Sequence, residues 1–447
     1  MNTNELLFQW SNLSLAEIEA RLQAPRPRGG PVASKDAGDA VDHLFGPEEA
    51  EELRSLASAP RPRGIRPAAV FLPGIMGSQL ASVRGVTRLL WINPLLFLHG
   101  ECSYLELSDD GSRDRQPQIE AVATGLEKMT YVKTGLALRR EVDLYEFPFD
   151  WRRPIESSAD LLHRTLERWA GGDPAKQFTL IGHSLGGLVS RAYLALHPRA
   201  AEQRVARLIM YGSPQFGATQ TIQNLYEGNR MMDIAGLLNG DNDTRHLLLN
   251  LPSVYQILPA PPDLFPSHRP YPADWDLYDA AAWRLEGIRQ DYLDLARRFH
   301  ELLSRRQEAA QVEIVQFAGC HVQTLVEVQH RFTHGERLEL APIWIDEGAD
   351  SGDGTVPLWS SILPGATIYY VQDQHRALAK NRDVLRGTLD VIHDGHARLP
   401  TELPQPERGW LRRDAPVPAD VEAAHLRLRL ELGSADEEDL SKLFFAL

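Results

Sequence analysis

Ser184 lies where an apolar run changes into a helical pattern. The residues before it, Phe178–Ile181, are apolar like a buried strand, and residues 185–196 place leucine and alanine on one helical face. Gly182 and Gly186 stand two residues on either side of the serine. A sharp turn from strand to helix needs small residues there, because the two backbones approach closely. The segment therefore predicts a strained turn with Ser184 as a nucleophile; a merely tight turn is the alternative.

A second glycine-rich turn follows the apolar run that ends at Leu72. It contains Gly74, Ile75 and Gly77, and it lies upstream of the serine. Enzymes with a nucleophilic serine at such a turn place an oxyanion donor after an early strand. We therefore expect the backbone N–H groups of Ile75 and Leu185 to hold an oxyanion. An ordinary strand-ending turn is the alternative interpretation.

Asp353 is the best candidate for a carboxylate that orients a histidine. It lies downstream of Ser184 between Gly352 and Gly354, which leave room for a partner. Asp350 and Asp346 are weaker candidates. A calcium loop is the competing interpretation of this segment, but the spacing and the missing distal glutamate argue against it.

His375 is the candidate general base. It follows an apolar run by a few residues and comes after Asp353, so the chain order is serine, aspartate, histidine. His183 is expected to pack rather than act as a base, because the turn points neighbouring side chains apart. His321, His393 and His396 also lie downstream of the serine.

Apolar runs alternate with helical patterns from about residue 66 onward. This alternation is typical of an α/β fold, with a mostly parallel central sheet and helices on both faces. The candidate strands are Ala68–Leu72, Asp143–Phe147, Phe178–Ile181, Leu208–Tyr211, Val312–Phe317 and Thr367–Val371.

The patterns divide the chain into five parts. Residues 1–65 are predicted to be an N-terminal extension with proline-rich linkers, and residues 66–216 the first part of the catalytic core. The proline- and aromatic-rich residues 217–305 are predicted to be an inserted cap or lid. Residues 306–400 complete the core, and residues 401–447 form a C-terminal extension. No partner is predicted for either extension.

Local signals predict structure within the two extensions. Ser14 and Glu17 form a capping-box pattern that predicts a short helix through Leu22. Pro47 is expected in the first turn of a second helix, over residues 47–57. Leucines alternate with polar residues over His425–Leu432, which predicts a strand.

The charge and cysteine content exclude several functions. The net charge of -14, from 47 basic and 61 acidic residues, argues against nucleic-acid binding and against strongly anionic membranes. Cys102 and Cys320 are too few for a disulfide framework and are expected to be buried thiols. The N-terminus lacks a signal-peptide pattern, and the most apolar run, Leu89–Leu98, is too short to span a bilayer. A cytoplasmic protein is expected.

Five segments together resemble the lecithin:cholesterol acyltransferase and lysosomal phospholipase A2 family. They span about residues 66 to 380. They are Leu72–Gly77, Phe147–Arg152, Gly182–Gly186, Gly212–Gly217 and Gly352–Pro357.

The resemblance implies an α/β-hydrolase fold and assigns roles to residues of this chain. Ser184, Asp353 and His375 match the family's catalytic triad, and Ile75 and Leu185 match its oxyanion donors. Secreted members close an early lid loop with a disulfide. Cys102 is the single cysteine in that region here, so this closure cannot form. Leu89–Leu98 could instead contact acyl chains or a membrane surface, or simply pack in the core.

The expected function is acyl cleavage or transfer on a lipid ester by a serine lipase, phospholipase or acyltransferase, with peripheral membrane contact. A metal or organic cofactor is not required by this chemistry. Two alternatives remain. One is a soluble carboxylesterase or amide hydrolase without lipid preference. The other is a binding or scaffold protein built on a hydrolase-like fold.

Overall fold

A computed structural model describes residues 9–10, 13–24, 37–84, 88–228, 237–266, 268–305, 312–332, 338–406, 425–426 and 428–429. The strands of these residues are β1 (Ala68–Leu72), β2 (Ser78–Ser82), β3 (Arg88–Trp91), β4 (Ala121–Leu126), β5 (Asp143–Glu146), β6 (Phe178–His183), β7 (Val205–Tyr211), β8 (Glu313–Gly319), β9 (Thr324–Phe332), β10 (Leu338–Ile345) and β11 (Thr367–Val371).

Six strands form a central sheet in the order β11-β8-β7-β6-β1-β5. Every neighbouring pair is parallel. In the register, Val70 of β1 lies opposite Tyr145 of β5 and Leu180 of β6. All six predicted strands are present, and the largest difference is at β7, which begins at Val205 rather than Leu208. The α/β fold class is confirmed.

Helices surround this sheet. Those of the described residues are α1 (Leu15–Gln23), α2 (Ala37–Ser58), α3 (Pro94–Leu98), α4 (Lys128–Leu138), α5 (Ile155–Ala170), α6 (Leu185–Leu196), α7 (Pro198–Arg204), α8 (Thr219–Glu227), α9 (Thr244–Leu249), α10 (Pro252–Tyr255), α11 (Gln290–Ser304), α12 (Leu358–Ser361) and α13 (Arg382–Asp394). Short 3-10 turns cover Cys102–Leu105, Ala280–Trp283 and Ala377–Lys380.

Both faces of the sheet are buried, as the apolar strand sequences require. Val70 of β1 belongs to one apolar cluster, with helices α5, α6 and α11, and its neighbour Phe71 to a second, with α4 and α13. In β6, Leu180 belongs to the first of these clusters and Ile181 to the second. Successive strand side chains point to opposite faces, so helices must cover both.

Two small antiparallel sheets were not predicted. One has the order β3-β2-β4, and β2 begins directly after the glycine-rich turn that follows β1. The other is the hairpin of β9 and β10. It contacts α8, where the Thr219 hydroxyl donates to the Val326 carbonyl at 3.3 Å.

The N-terminal extension packs against helix α4. The predicted capping box of α1 is confirmed: the Glu17 N–H donates to Ser14 Oγ, and the Ser14 N–H donates to the Glu17 carboxylate. Helix α2 bends at Gly46, which has φ 71°, and restarts at Pro47. Leu15 packs against Gly135 of α4, where an added Cβ would lie 2.8 Å from Leu15 Cδ2.

The segment predicted as a cap consists of helices separated by irregular stretches. It contains α8, α9, α10 and α11. Helix α11 contacts α6, and its Phe299 side chain is buried in the same apolar cluster as β6. The end of this segment therefore packs as part of the core layer.

The strand predicted over His425–Leu432 is wrong. The described residues there, at 425, 426, 428 and 429, are helical. Leu426 is buried, whereas Leu428 is 56% exposed. Leucine, arginine and glutamate all favour helices, and this propensity prevails over a short period-two alternation.

Cys102 and Cys320 are both buried free thiols. Burial raises the pKa of each to about 12. Among the residues that the structure describes, no helix combines the length and apolarity needed to cross a bilayer.

Leu15→Asp is predicted to destabilise the protein by about 2–4 kcal/mol, because it buries an unpaired carboxylate against Gly135. Urea unfolding measures the change. Leu161→Asp is the control, since Leu161 on α5 is 36% exposed. Equal unfolding midpoints for the two variants would contradict the described docking of the extension.

Candidate active site

Ser184 occupies a strained turn between β6 and α6. Its backbone has φ 51° and ψ -119°, a conformation that residues other than glycine rarely adopt. A Cβ at Gly182 would lie 2.5 Å from the Gly187 nitrogen, and one at Gly186 would lie 2.4 Å from the Leu72 carbonyl oxygen. The glycines are therefore required by the close approach of the helix to β6 and β1, as the sequence pattern predicted.

The three candidate triad side chains form one hydrogen-bonded series. His375 Nε2 lies 2.9 Å from Ser184 Oγ, and His375 Nδ1 lies 2.7 Å from Asp353 Oδ2. The other oxygen, Asp353 Oδ1, accepts the N–H groups of Thr355 at 3.0 Å and Val356 at 2.7 Å. The His375 N–H also donates to the Asp353 carbonyl at 2.7 Å. The carboxylate and the imidazole are thus both fixed in orientation.

Two glycines make room for the aspartate and the histidine. A Cβ at Gly319, the last residue of β8, would lie 2.4 Å from Asp353 Cβ. Gly212, directly after β7, has φ 54°, and its Cβ would lie 2.8 Å from Asp353 Oδ2. This explains why the Gly212–Gly217 segment begins with glycine.

The alternative candidates lie outside this series. His321 Nε2 bonds the Pro404 carbonyl at 2.8 Å, and Asp350 pairs with Arg269. His393 lies 3.5 Å from Glu141. Asp346 and His396 are exposed. Within the described ranges, no group of three or more His, Cys, Asp or Glu side chains is arranged to hold a metal ion.

The turn after β1 has a defined geometry. The Gly77 N–H donates to the Gly74 carbonyl at 3.0 Å, and Met76 has φ 58°. Ile75 lies at the centre of this turn and lines the cavity beside Ser184. Leu185 is the first residue of α6, where backbone N–H groups have no carbonyl partner within the helix. Both N–H groups therefore belong to elements that adjoin the serine.

Most of Leu89–Leu98 packs into the core, whereas Leu95 is 42% exposed. It forms β3 and α3, and Leu90, Trp91, Leu96 and Phe97 are buried. The Trp91 indole N–H donates to the Met76 carbonyl at 2.7 Å and so supports the turn from behind. None of the described residues of this run lines the cavity.

The Phe147–Arg152 segment also supports the start of β2. The Phe149 N–H donates to Ser78 Oγ at 3.0 Å, and the Trp151 indole donates to the Ser78 carbonyl at 3.1 Å. Arg152 is fully buried and bonds Asp150 and Asp114, each at 2.8 Å. A buried cation needs such partners. The motif therefore fixes the backbone that follows the turn.

Tyr131 and His183 were not predicted to act together, and the structure joins them beside the serine. Tyr131 Oη lies 2.8 Å from His183 Nδ1. Burial, together with the charge of His375, lowers the pKa of His183 to about 3. His183 is therefore neutral and is not the base that bonds Ser184, which agrees with the packing role expected for it.

A cavity of about 90 Å³, partly open to solvent, adjoins Ser184. One part of its lining is polar: Arg376 bonds Thr130 Oγ1 at 2.8 Å, and the Thr130 hydroxyl donates to Glu127 at 2.6 Å. Another part is apolar and comes from the segment predicted as a cap. Its residues are Ala218, Leu248, Val254 and Ile257.

The sheet order and the serine turn define an α/β-hydrolase. The lecithin:cholesterol acyltransferase family model matches residues 113–335, and this match confirms the family indicated by the sequence motifs. The chain is accordingly an esterase- or lipase-like hydrolase or acyltransferase. The match includes Ser184 but not Asp353 or His375, so the placement of those two residues is seen in the geometry alone.

Several solved structures are similar to this chain at low identity. The Tle4–Tli4 complex is 14% identical, with 72% of this chain and 97% of that chain covered and a TM-score of 0.48. The mature lipase of Bacillus licheniformis is 15% identical, with 72% and 89% covered and a TM-score of 0.36. A peroxisomal α/β-hydrolase of Saccharomyces cerevisiae is 12% identical, with 77% and 82% covered and a TM-score of 0.30. No curated protein matches the sequence.

Two buried neutral histidines make stability depend on pH. Burial lowers the pKa of His300 to about 4 and is the main cause of the low pKa of His183. Because an exposed histidine titrates near 6.5, the unfolded chain binds protons below that pH which the folded chain does not. The free energy of unfolding should therefore fall as pH falls from about 6.5 to 5, by up to about 1.4 kcal/mol per pH unit for each histidine.

His300→Gln is predicted to flatten this pH dependence. Urea unfolding at pH 7, 6 and 5 measures it, and His396→Gln at an exposed position is the control. An unchanged slope in His300→Gln would show that this histidine is not buried in its neutral form.

Proposed function

We propose that the chain is a serine lipase, phospholipase or acyltransferase that forms an acyl-enzyme on Ser184. The observation that carries this proposal is the series from Ser184 through His375 to Asp353, placed at a strained turn beside a cavity. In this series the histidine can take a proton from the serine, and the carboxylate can stabilise the imidazolium that results.

The proposed reaction has two halves. Ser184 Oγ attacks the ester carbonyl carbon while its proton moves to His375 Nε2, and the carbonyl electron pair moves onto oxygen. The N–H groups of Ile75 and Leu185 hold that oxyanion. The C–O bond then breaks, and the leaving alcohol takes the proton from His375. Water or a second alcohol then attacks the acyl carbonyl carbon while its proton moves to His375. The bond to Ser184 Oγ breaks, Ser184 takes the proton from His375, and the acyl group is released.

Ser184→Ala is predicted to abolish fluorophosphonate labelling and to lower ester turnover by about four to six orders of magnitude, because the covalent step is lost. Labelling and turnover of p-nitrophenyl esters are the measurements. Asp350→Asn and His321→Ala are the controls and should retain wild-type labelling. Labelling of Ser184→Ala at the wild-type rate would refute the nucleophile, whereas absence of labelling in the wild type would favour the scaffold alternative.

The apolar lining favours a lipid acyl chain over a small soluble ester. Leu248 of α9, Val254 of α10 and Ile257, two residues after α10, are buried and line the cavity. Deep apolar pockets with a few polar groups are typical of sites that bury most of a ligand. We propose that these residues contact the acyl chain, and that neutral or zwitterionic surfaces are preferred because the net charge is -14.

Val254→Trp is predicted to shorten the preferred acyl chain, because the larger side chain fills space that the chain would occupy. The measurement is kcat/KM across p-nitrophenyl esters from acetate to palmitate. The long-chain esters should lose about tenfold or more, with little change for acetate. Leu95→Trp, at a position 42% exposed and outside the cavity, is the control.

The same set of p-nitrophenyl esters, measured together with lipid vesicles, distinguishes the lipase from the soluble esterase. Hydrolysis of zwitterionic and anionic vesicles should be measured beside the short esters. If wild type turns over acetate best and neither vesicle is hydrolysed, the carboxylesterase alternative replaces the lipase.

A further inference from the structure

We propose that Tyr131 and His183 are positioning residues that hold the oxyanion turn and the loop of His375 at a fixed separation during acyl transfer. The proposal rests on the proposed function of Ser184. Both side chains are buried polar groups that the proposed reaction does not itself use.

Three hydrogen bonds join the two elements across the core. The Gly74 N–H donates to Tyr131 Oη at 2.9 Å, and Tyr131 Oη lies 2.8 Å from His183 Nδ1. His183 Nε2 lies 3.0 Å from the carbonyl oxygen of His375. One end of the series is the residue before the proposed oxyanion donor Ile75, and the other end is the proposed general base itself.

One arrangement of protons satisfies the series with a neutral His183. The carbonyl can only accept, so Nε2–H donates to it, and Nδ1 of the neutral ring then accepts from the Tyr131 hydroxyl. The pKa of about 3 agrees with a neutral His183. Burial also raises the pKa of Tyr131 well above its usual value, so the hydroxyl keeps its proton.

The link also contacts the turn sterically. A Cβ at Gly74 would lie 3.1 Å from Ser184 Cβ and 3.2 Å from His183 Nδ1, and one at Gly77 would lie 2.8 Å from the Tyr131 ring. Phenylalanine and leucine could fill the same volume without desolvating polar atoms. A buried polar pair is costly unless its hydrogen bonds are made, and these bonds end on backbone groups of the two elements.

The main chain of His375 is thereby held from both sides. Its N–H donates to the Asp353 carbonyl at 2.7 Å, and its carbonyl accepts from His183. The first contact orients the ring toward the carboxylate. The second ties the same residue to the turn where the oxyanion would lie. A displacement of about 1 Å between reacting groups can lower turnover about a hundredfold.

Tyr131→Phe and His183→Leu each break the link and should lower kcat about 10- to 100-fold, with KM within about twofold, because the error lies in alignment rather than in ground-state binding. The double variant should be no worse than the poorer single variant, since one link is lost in all three. His183→Gln, which offers both a donor and an acceptor, should recover part of kcat relative to His183→Leu.

Tyr211→Phe is the matched control. Tyr211 is also fully buried, and its hydroxyl bonds the Thr388 hydroxyl of α13 at 2.7 Å rather than a group of the proposed site. It should lose comparable stability in urea but keep wild-type kcat. Comparing Tyr211→Phe with Tyr131→Phe distinguishes the effect of losing a buried hydroxyl from the effect of losing the link.

Three results would overturn the proposal. Wild-type kcat in Tyr131→Phe and His183→Leu would show that the link does not position the site. Additive losses in the double variant, or an equal loss of kcat in Tyr211→Phe, would show only general destabilisation. Each of these is distinct from failure of the proposed function, which would appear as labelling of Ser184→Ala at the wild-type rate.

Discussion

The close approach of α6 to the ends of β6 and β1 is the constraint on which the site depends. At Gly186 there is no space for even one methyl carbon beside the Leu72 carbonyl. This contact brings the serine turn against the turn that follows β1. Because all six strands are parallel, their carboxyl ends lie at one edge of the sheet. The residues that follow β7, β8 and β11 therefore reach the same place, and Asp353 and His375 can meet Ser184 there.

Buried polar contacts then fix the backbone around that edge. Trp91 supports Met76, and Phe149 and Trp151 hold Ser78. Each contact ends on the turn or on the residue that follows it. A strained turn persists only where its surroundings determine it, so these distant segments stabilise a conformation that the turn would not adopt alone.

The sequence predicted features that depend on contiguous residues and missed features that depend on distant ones. The central strands and the serine turn were predicted because their patterns are local. The aspartate and histidine were selected by chain order, which the parallel sheet translates into proximity. The pairing of Tyr131 with His183 joins residues 52 positions apart and has no local pattern. Leu89–Leu98 was ambiguous for the same reason, since an apolar run looks alike in a core and at a surface.

The N-terminal extension contacts the helix that carries Tyr131 and the segment that follows His375. Leu15 packs on α4, the helix that carries Tyr131, and Glu52 pairs with Lys133 of that helix at 2.8 Å. Glu49 pairs with Lys380, five residues after His375, at 3.0 Å. The ion pairs lie near the surface, where salt screens such contacts and their net contribution is small. The apolar contact at Leu15 does not weaken with salt. The docking of the extension, and with it the outer support of the site, therefore depends mainly on the packing of α1 and α2 against α4.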